Sequence, residues 1–283
     1  MRRSTMAWVV APALMVGALA PHAAQAAGCT FGASAGGEVS LQGVFNEMFG
    51  ATLAPNAQTS CVADPNDGLW HTVSSAGSAT ILVEIAGNLN GNTLGIYDST
   101  STLRSLEIFS GPAGSASRAY ITVSNSGPGA YNVQIDRYSD GAPPVSVSGT
   151  FASSAFGFYL QQPAGAGNER FYSESVRNAG RNGDPTATDY MYSYTGNGAY
   201  FLNGSLYAPT IVEGTQFDSD DAIIAWEDLR NGSDGDYQDM VVLLRDVVPN
   251  ASPVPLPAAF WLFGTALAGL GAFRRRAPAR ETF

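Results

Sequence analysis

Between residues 80 and 244 the apolar side chains come in short runs, rich in β-branched and aromatic residues, each closed by Gly, Pro, Asn, Asp or Ser. Runs of this length do not build long helices; they build strands joined by turns. Strands are expected over 80–85, 94–97, 103–109, 119–123, 131–135, 145–151 and 156–160, and later over 190–194, 223–229 and 237–244. Asn-Gly pairs beginning at Asn90, Asn182, Asn197, Asn203 and Asn231 read as hairpin turns, because both residues tolerate positive φ. The 32 Gly and 16 Pro fit the same picture. The expected fold is all-β, an antiparallel β-sandwich or jelly roll over 80–248, with a sub-boundary near 140–150. One short helix precedes it: Leu41, Val44, Phe45, Met48 and Phe49 recur at helical spacing between a capping Ser40 and a terminating Gly50.

Both ends of the chain carry different chemistry. Arg2 and Arg3 precede an apolar stretch over 6–20, and Ala24-Gln25-Ala26 supplies the small residues that signal peptidase accepts. Residues 1–26 therefore read as a secretory signal for Sec export, cut after Ala26. Ala26-Ala27-Gly28-Cys29 also loosely resembles a lipobox, with Ala26 where Leu is usual. Cys29 and Cys61 are the only cysteines, both in the N-terminal region 27–79. After export an isolated pair reads as a disulfide, worth roughly 3 to 4 kcal/mol; the alternative is two buried thiols.

After a linker at 249–253, the motif Val254-Pro255-Leu256-Pro257-Ala258 leads into an apolar run over 258–273, closed by Arg274, Arg275 and Arg276, with 277–283 beyond. As a helix the run is about 24 Å long, somewhat short for a bilayer, but flanking Arg side chains can snorkel. The Arg cluster places the C-terminus in the cytoplasm and the body on the periplasmic side. Motif, span and Arg cluster in this order resemble the PEP-CTERM sorting signal in its VPLPA variant, with Leu256 replacing the eponymous Glu. The resemblance implies a Gram-negative exported protein, cut near this motif by an exosortase and delivered to the cell surface or extracellular matrix. A permanent single-span anchor is the alternative. Over 153–246 the chain also resembles a β-rich domain without established activity that recurs upstream of such tails. Phe156-Gly157-Phe158-Tyr159-Leu160, Phe171-Tyr172-Ser173, Tyr190-Met191-Tyr192 and above all the acidic run near the end of that stretch carry the likeness, more weakly Leu94-Gly95-Ile96-Tyr97-Asp98.

Charge narrows the partners. Eight of the 14 arginines but 23 of the 24 carboxylates lie in 27–253, a balance that repels phosphate backbones and excludes nucleic acid. The densest cluster runs from Trp226 to Asp239, between two apolar strands. Glu227 and Asp228 should face Asp236 and Asp239 across the base of a hairpin, with Asp234 at its bend. These carboxylates suit Ca²⁺, which takes six to eight oxygens in flexible geometry, although the spacing is not that of an EF-hand. The competing reading is a solvated turn held by Asx hydrogen bonds. Asp218-Ser219-Asp220-Asp221 reads as an exposed acidic loop.

Catalysis finds little support, although 23 carboxylates leave a glycoside-hydrolysing pair open. His71 is the sole histidine after residue 26, so a His-rich zinc site is excluded, and no G-x-S-x-G, P-loop or dinucleotide motif occurs. Tyr190, Tyr192 and Tyr194 alternate on one expected strand, with Tyr200 beyond; they read either as a core face or as a surface for exopolysaccharide.

Overall fold

The protein's structure is a computed structural model that describes residues 29, 31–32, 38–62, 67–74, 76–84, 91–109, 113, 117–138, 143–164, 167–180, 188–203, 212–229 and 235–250. The signal segment with Ala26, the tail with Val254, Pro255, Leu256, Pro257, Ala258, Arg274, Arg275 and Arg276, and the turn residues Asn90, Asn182, Asn231 and Asp234 lie outside them. No helix among the described residues is long and apolar enough to cross a membrane.

Helix α1 (Leu41–Phe49) forms as its pattern requires. The Ser40 hydroxyl accepts from the Gly43 amide at 3.1 Å, and Gly50 ends the helix with φ of 82°. The strands that follow are β1 (Trp70–Thr72), β2 (Ala76–Glu84), β3 (Thr93–Asp98), β4 (Ser101–Phe109), β5 (Arg118–Gly127), β6 (Ala130–Tyr138), β7 (Val145–Phe151) and β8 (Phe156–Gln161). Then come β9 (Arg170–Tyr172), β10 (Met191–Thr195), β11 (Tyr200–Leu202), β12 (Thr215–Phe217), β13 (Asp221–Trp226), β14 (Met240–Arg245) and β15 (Val247–Pro249).

Two large antiparallel sheets stack face to face, and β11 and β12 form a separate two-stranded sheet. Of the large sheets, one has seven strands in the order β10-β13-β14-β2-β5-β6-β7; the other has six, β15-β1-β8-β3-β4 with β9 also paired to β8. Between them lies the main core, in which Leu94, Ile96, Phe156 and Phe158 of the second sheet meet Ile121, Ile135, Ile224 and Val242 of the first. Strands β5 and β6 alternate as half-buried strands do: Ile121 pairs with Ile135 and Val123 with Val133 on the core side. At the other end of that sheet β13 and β14 are covered on both faces. Ala222, Ile224 and Trp226 point between the sheets, while Ile223 and Ala225 pack beneath α1 with Phe45 and Phe49. Burial on both sides explains why these two segments are continuously apolar. The disulfide Cys29–Cys61, with Cα atoms 6.3 Å apart, ties down the N-terminal segment beside α1.

Several sequence expectations shift. The strand expected over 223–229 stops at Trp226 and the one expected from 237 starts at Met240, so the acidic residues between them leave the ladder. Asn197-Gly198, with Gly198 at φ of 74°, joins strands of different sheets and is no hairpin turn. Tight hairpins form instead from β3 to β4 and from β5 to β6, the latter through Gly129 at φ of 66°. Three-residue strands at 70–72, 170–172 and 247–249 have no sequence signal of their own.

On the outer face of the second sheet, two G-x-Y segments pair in opposite directions. Gly95 lies opposite Tyr159, and Gly157 opposite Tyr97. Each ring lies over the facing glycine: a Cβ on Gly157 would meet the Tyr97 ring at 2.1 Å, and one on Gly95 the Tyr159 ring at 2.4 Å. The guanidiniums of Arg170 and Arg177 cover the two rings, 4.0 and 5.2 Å from their centroids. Gly157→Ala is expected to cost about 2–3 kcal/mol in urea unfolding, the usual penalty of overpacking. In a Tyr97→Leu background the same change should cost much less.

Candidate metal centre

Where β13 and β14 end, the chain turns its carboxylates inward. Glu227, Asp228, Asp236 and Asp239 are 0%, 1%, 3% and 8% exposed. These four carboxylates are thus not solvated side chains, as a simple surface turn would have them; the bend of the run, 230–234, lies outside the described residues. Carboxylate oxygens of Glu227, Asp236 and Asp239 lie within 4.8 Å of one another. Oxygens so spaced share a centre no more than about 2.8 Å from each, close to the 2.3–2.6 Å of a calcium–oxygen bond.

Backbone geometry holds the cluster in place. The Asp228 amide donates to Asp239 Oδ2 at 2.7 Å and the Leu229 amide to Glu227 Oε1 at 2.9 Å. Glu227 N–H donates to the Tyr190 carbonyl, and Asp239 N–H to the Trp226 carbonyl. Tyr237 sits between Asp236 and Gln238 at φ of 55°, a left-handed conformation that costs a bulky residue about 1–3 kcal/mol. Its ring stacks on Tyr192 at 3.9 Å and its hydroxyl donates to the Asp189 carbonyl at 2.6 Å, which holds this conformation.

Three carboxamides close the site, Asn92 and Gln162 from distant loops and Gln238 from the same segment. Asn92 Nδ2 donates to Asp228 Oδ2 at 2.7 Å, Gln162 Nε2 to the Asp228 carbonyl, and Gln238 Nε2 to Asp236 Oδ2 at 2.7 Å and Glu38 Oε2 at 3.0 Å. All three are buried, and the carboxamide oxygens of all three accept no hydrogen bond. A buried oxygen without a donor is costly unless a cation or water meets it. Beside the cluster a cleft of about 290 Å³ is lined by Phe31, Gly32, Gln42, Asn56, Gln58 and Asp236, which gives Asp236 a path to solvent.

Electrostatics reinforce the geometry. Burial, then the neighbouring Asp228 and Glu227, push the Asp239 carboxyl up to about 9; the hydrogen bond from the Asp228 amide opposes this, and Asp236 adds to it. In the absence of a cation the cluster thus keeps a proton at neutral pH. Its donor set is entirely oxygen, with no His or Cys, which is the chemistry of hard cations such as Ca²⁺ and not of zinc.

Of the residues expected from sequence, Glu227, Asp236 and Asp239 converge. Asp228 lies beside them with its side chain turned to Asn92, and Asp234 lies outside the described residues. Asn92, Gln162 and Glu38 carry no sequence signal for this role. Asp221 is not in an exposed acidic loop: it is 2% exposed and paired with Arg245 at 3.0 Å across β13 and β14, and burial raises its carboxyl despite that partner. The tyrosines do not share one face. Tyr190 packs between the sheets against Phe171, whereas Tyr194 is buried on the α1 side with Tyr192 and Tyr200 at the margin of that cluster. Comparison with known proteins returns no matching family model and no matching curated protein.

Proposed function

We propose that the chain is an exported, non-enzymatic surface or matrix protein whose β-sandwich is stabilised by one Ca²⁺ at the carboxylate cluster. The observation that carries the metal reading is the convergence of Glu227, Asp236 and Asp239 in a buried, all-oxygen site. Such an ion would neutralise the carboxylates and fasten the 235–239 segment to the end of β13. Mg²⁺ suits the site less well, since it keeps several waters and demands near-octahedral geometry.

Export and sorting rest on the two ends of the sequence. Arg2 and Arg3 with the apolar stretch to residue 20 support Sec export and cleavage after Ala26, and the Cys29–Cys61 disulfide fits an oxidising compartment. Val254 to Ala258, the apolar run and Arg274 to Arg276 support transient insertion in the inner membrane, followed by exosortase cleavage and release to the surface or matrix. Calcium is abundant outside the cytoplasm, so an ion-dependent fold would consolidate after export.

The test is thermal. Adding Ca²⁺ to chelated protein is expected to raise the melting temperature by about 10 °C at a thousandfold excess over Kd, and Asp236→Ala to abolish the rise. An unchanged melting temperature in the parent protein contradicts the metal reading.

A further inference from the structure

We infer that the outer face of β5, β6 and β7 is a binding surface for neutral polysaccharide. The register places Thr122, Gln134 and Ser148 side by side across the three strands, and Ser124, Asn132 and Thr150 in the next row. Their opposite faces carry the core residues Ile121, Val123, Val133 and Ile135, so the polar groups point outward. The cross-strand sequence Leu243, Thr80, Arg118, Tyr138 puts this face on the same side of the sheet as α1, which covers only the β13–β14 end. Over the two rows lies a shallow depression of about 380 Å³, lined by these six side chains and the adjoining backbone.

The chemistry of the face selects the occupant. In a chain of net charge −10 its centre is hydroxyl and carboxamide, groups that both donate and accept. Its one central carboxylate, Asp136, is already engaged by Ser146 Oγ at 2.5 Å and by Gln134 Nε2 at 2.9 and 3.0 Å. A protein partner calls for an apolar centre, which these rows lack. A polyanion calls for a row of cations, and among the described residues of this face only Arg118 stands at the margin. At that margin Tyr120 and Tyr138 are 46% and 39% exposed, their rings edge to face at 5.5 Å, and offer flat apolar faces beside the polar rows. Polar groups about 4.8 Å apart within each row, in rows about 6.8 Å apart and next to exposed rings, match a polymer of uncharged sugar units. The surface lies on other strands than the carboxylate cluster, so the two readings fail separately.

The test is affinity electrophoresis of the full chain in a sugar-free polyoxyethylene detergent with Ca²⁺ present, through gels holding dextran, hydroxyethylcellulose, galactomannan or the polyanion alginate. Retardation by at least one neutral polymer is expected, about tenfold weaker for Gln134→Ala/Ser148→Ala and for Tyr120→Ala, with melting temperatures unchanged. Retardation by none of the neutral polymers, retardation by alginate alone, or retardation untouched by the substitutions overturns the proposal. A concentration-dependent dimer in sedimentation that the same substitutions dissolve also overturns it, since the face would then serve self-association.

Discussion

In the presence of a chelator, the protein is expected to lose stability as the pH rises from about 5 to about 9, and saturating Ca²⁺ to remove that loss. The sign follows from Asp239. Burial and the neighbouring Asp228 and Glu227 push its carboxyl up to about 9, whereas in the unfolded chain it titrates near the ordinary aspartate value. Between those limits the folded state holds a proton that the unfolded state has released, so raising the pH favours unfolding. One such proton changes stability by at most about 1.4 kcal/mol per pH unit, or about 3–5 °C in melting temperature for a body of this size. A bound cation takes the place of the proton, and calcium affinity should therefore increase with pH over the same range. Asp239→Asn resembles the protonated side chain: it is expected to flatten the pH profile of the chelated protein and to abolish the response to Ca²⁺. Differential scanning calorimetry of both proteins, with and without chelator, checks all of these outcomes.

Asp98→Ala is expected to lower stability by about 2–3 kcal/mol at neutral pH, measured by urea unfolding. Asp98 is fully buried at the turn between β3 and β4. Its carboxylate accepts from the Thr100 amide at 2.9 Å, from the Ala152 amide at 2.6 Å and from Arg104 Nε at 2.6 Å. It thus joins the β3–β4 hairpin to the crossing from β7 in one sheet to β8 in the other. Arg104 is 45% exposed, so little of the cost is attributed to the ion pair. Most comes from the two amides left without their acceptor. Burial alone would raise this carboxyl, but the Ala152 and Thr100 amides and Arg104 outweigh it and hold it below the usual aspartate range. That stability is present above the unfolded-state value near 4 and is lost as the pH falls through the lower folded value. Asp98→Ala should therefore differ from the parent fully at pH 7 and progressively less below about pH 4.

Much of the fold follows from patterns that need only local reading. Helix α1 has its stripe and its caps in sequence, and 145–151 forms a strand over the range its alternation predicts. The acidic run was legible because its carboxylates stand between the two most apolar strands of the chain. Its burial was not legible, since that depends on β13 ending at Trp226, which frees Glu227 and Asp228 from the ladder to turn inward. Asn92 and Gln162 reach Asp228 from 136 and 66 residues away, and only the sheet order brings them there. Tyr190 shows the limit of counting by twos: the strand begins at Met191, so period-two alternation does not extend to Tyr190, which enters the opposite core. The G-x-Y segments were visible as strings, but the reciprocal packing of ring on glycine needed the register.

The central claim, that the carboxylate cluster holds a calcium ion, is tested most directly by equilibrium dialysis of chelator-treated protein against ⁴⁵Ca²⁺. The parent protein should take up a tightly held ion through Glu227, Asp236 and Asp239, and folded Asp236→Ala should lose that uptake while its circular dichroism is retained. No saturable uptake by the parent protein, or equal uptake by Asp236→Ala, would contradict it.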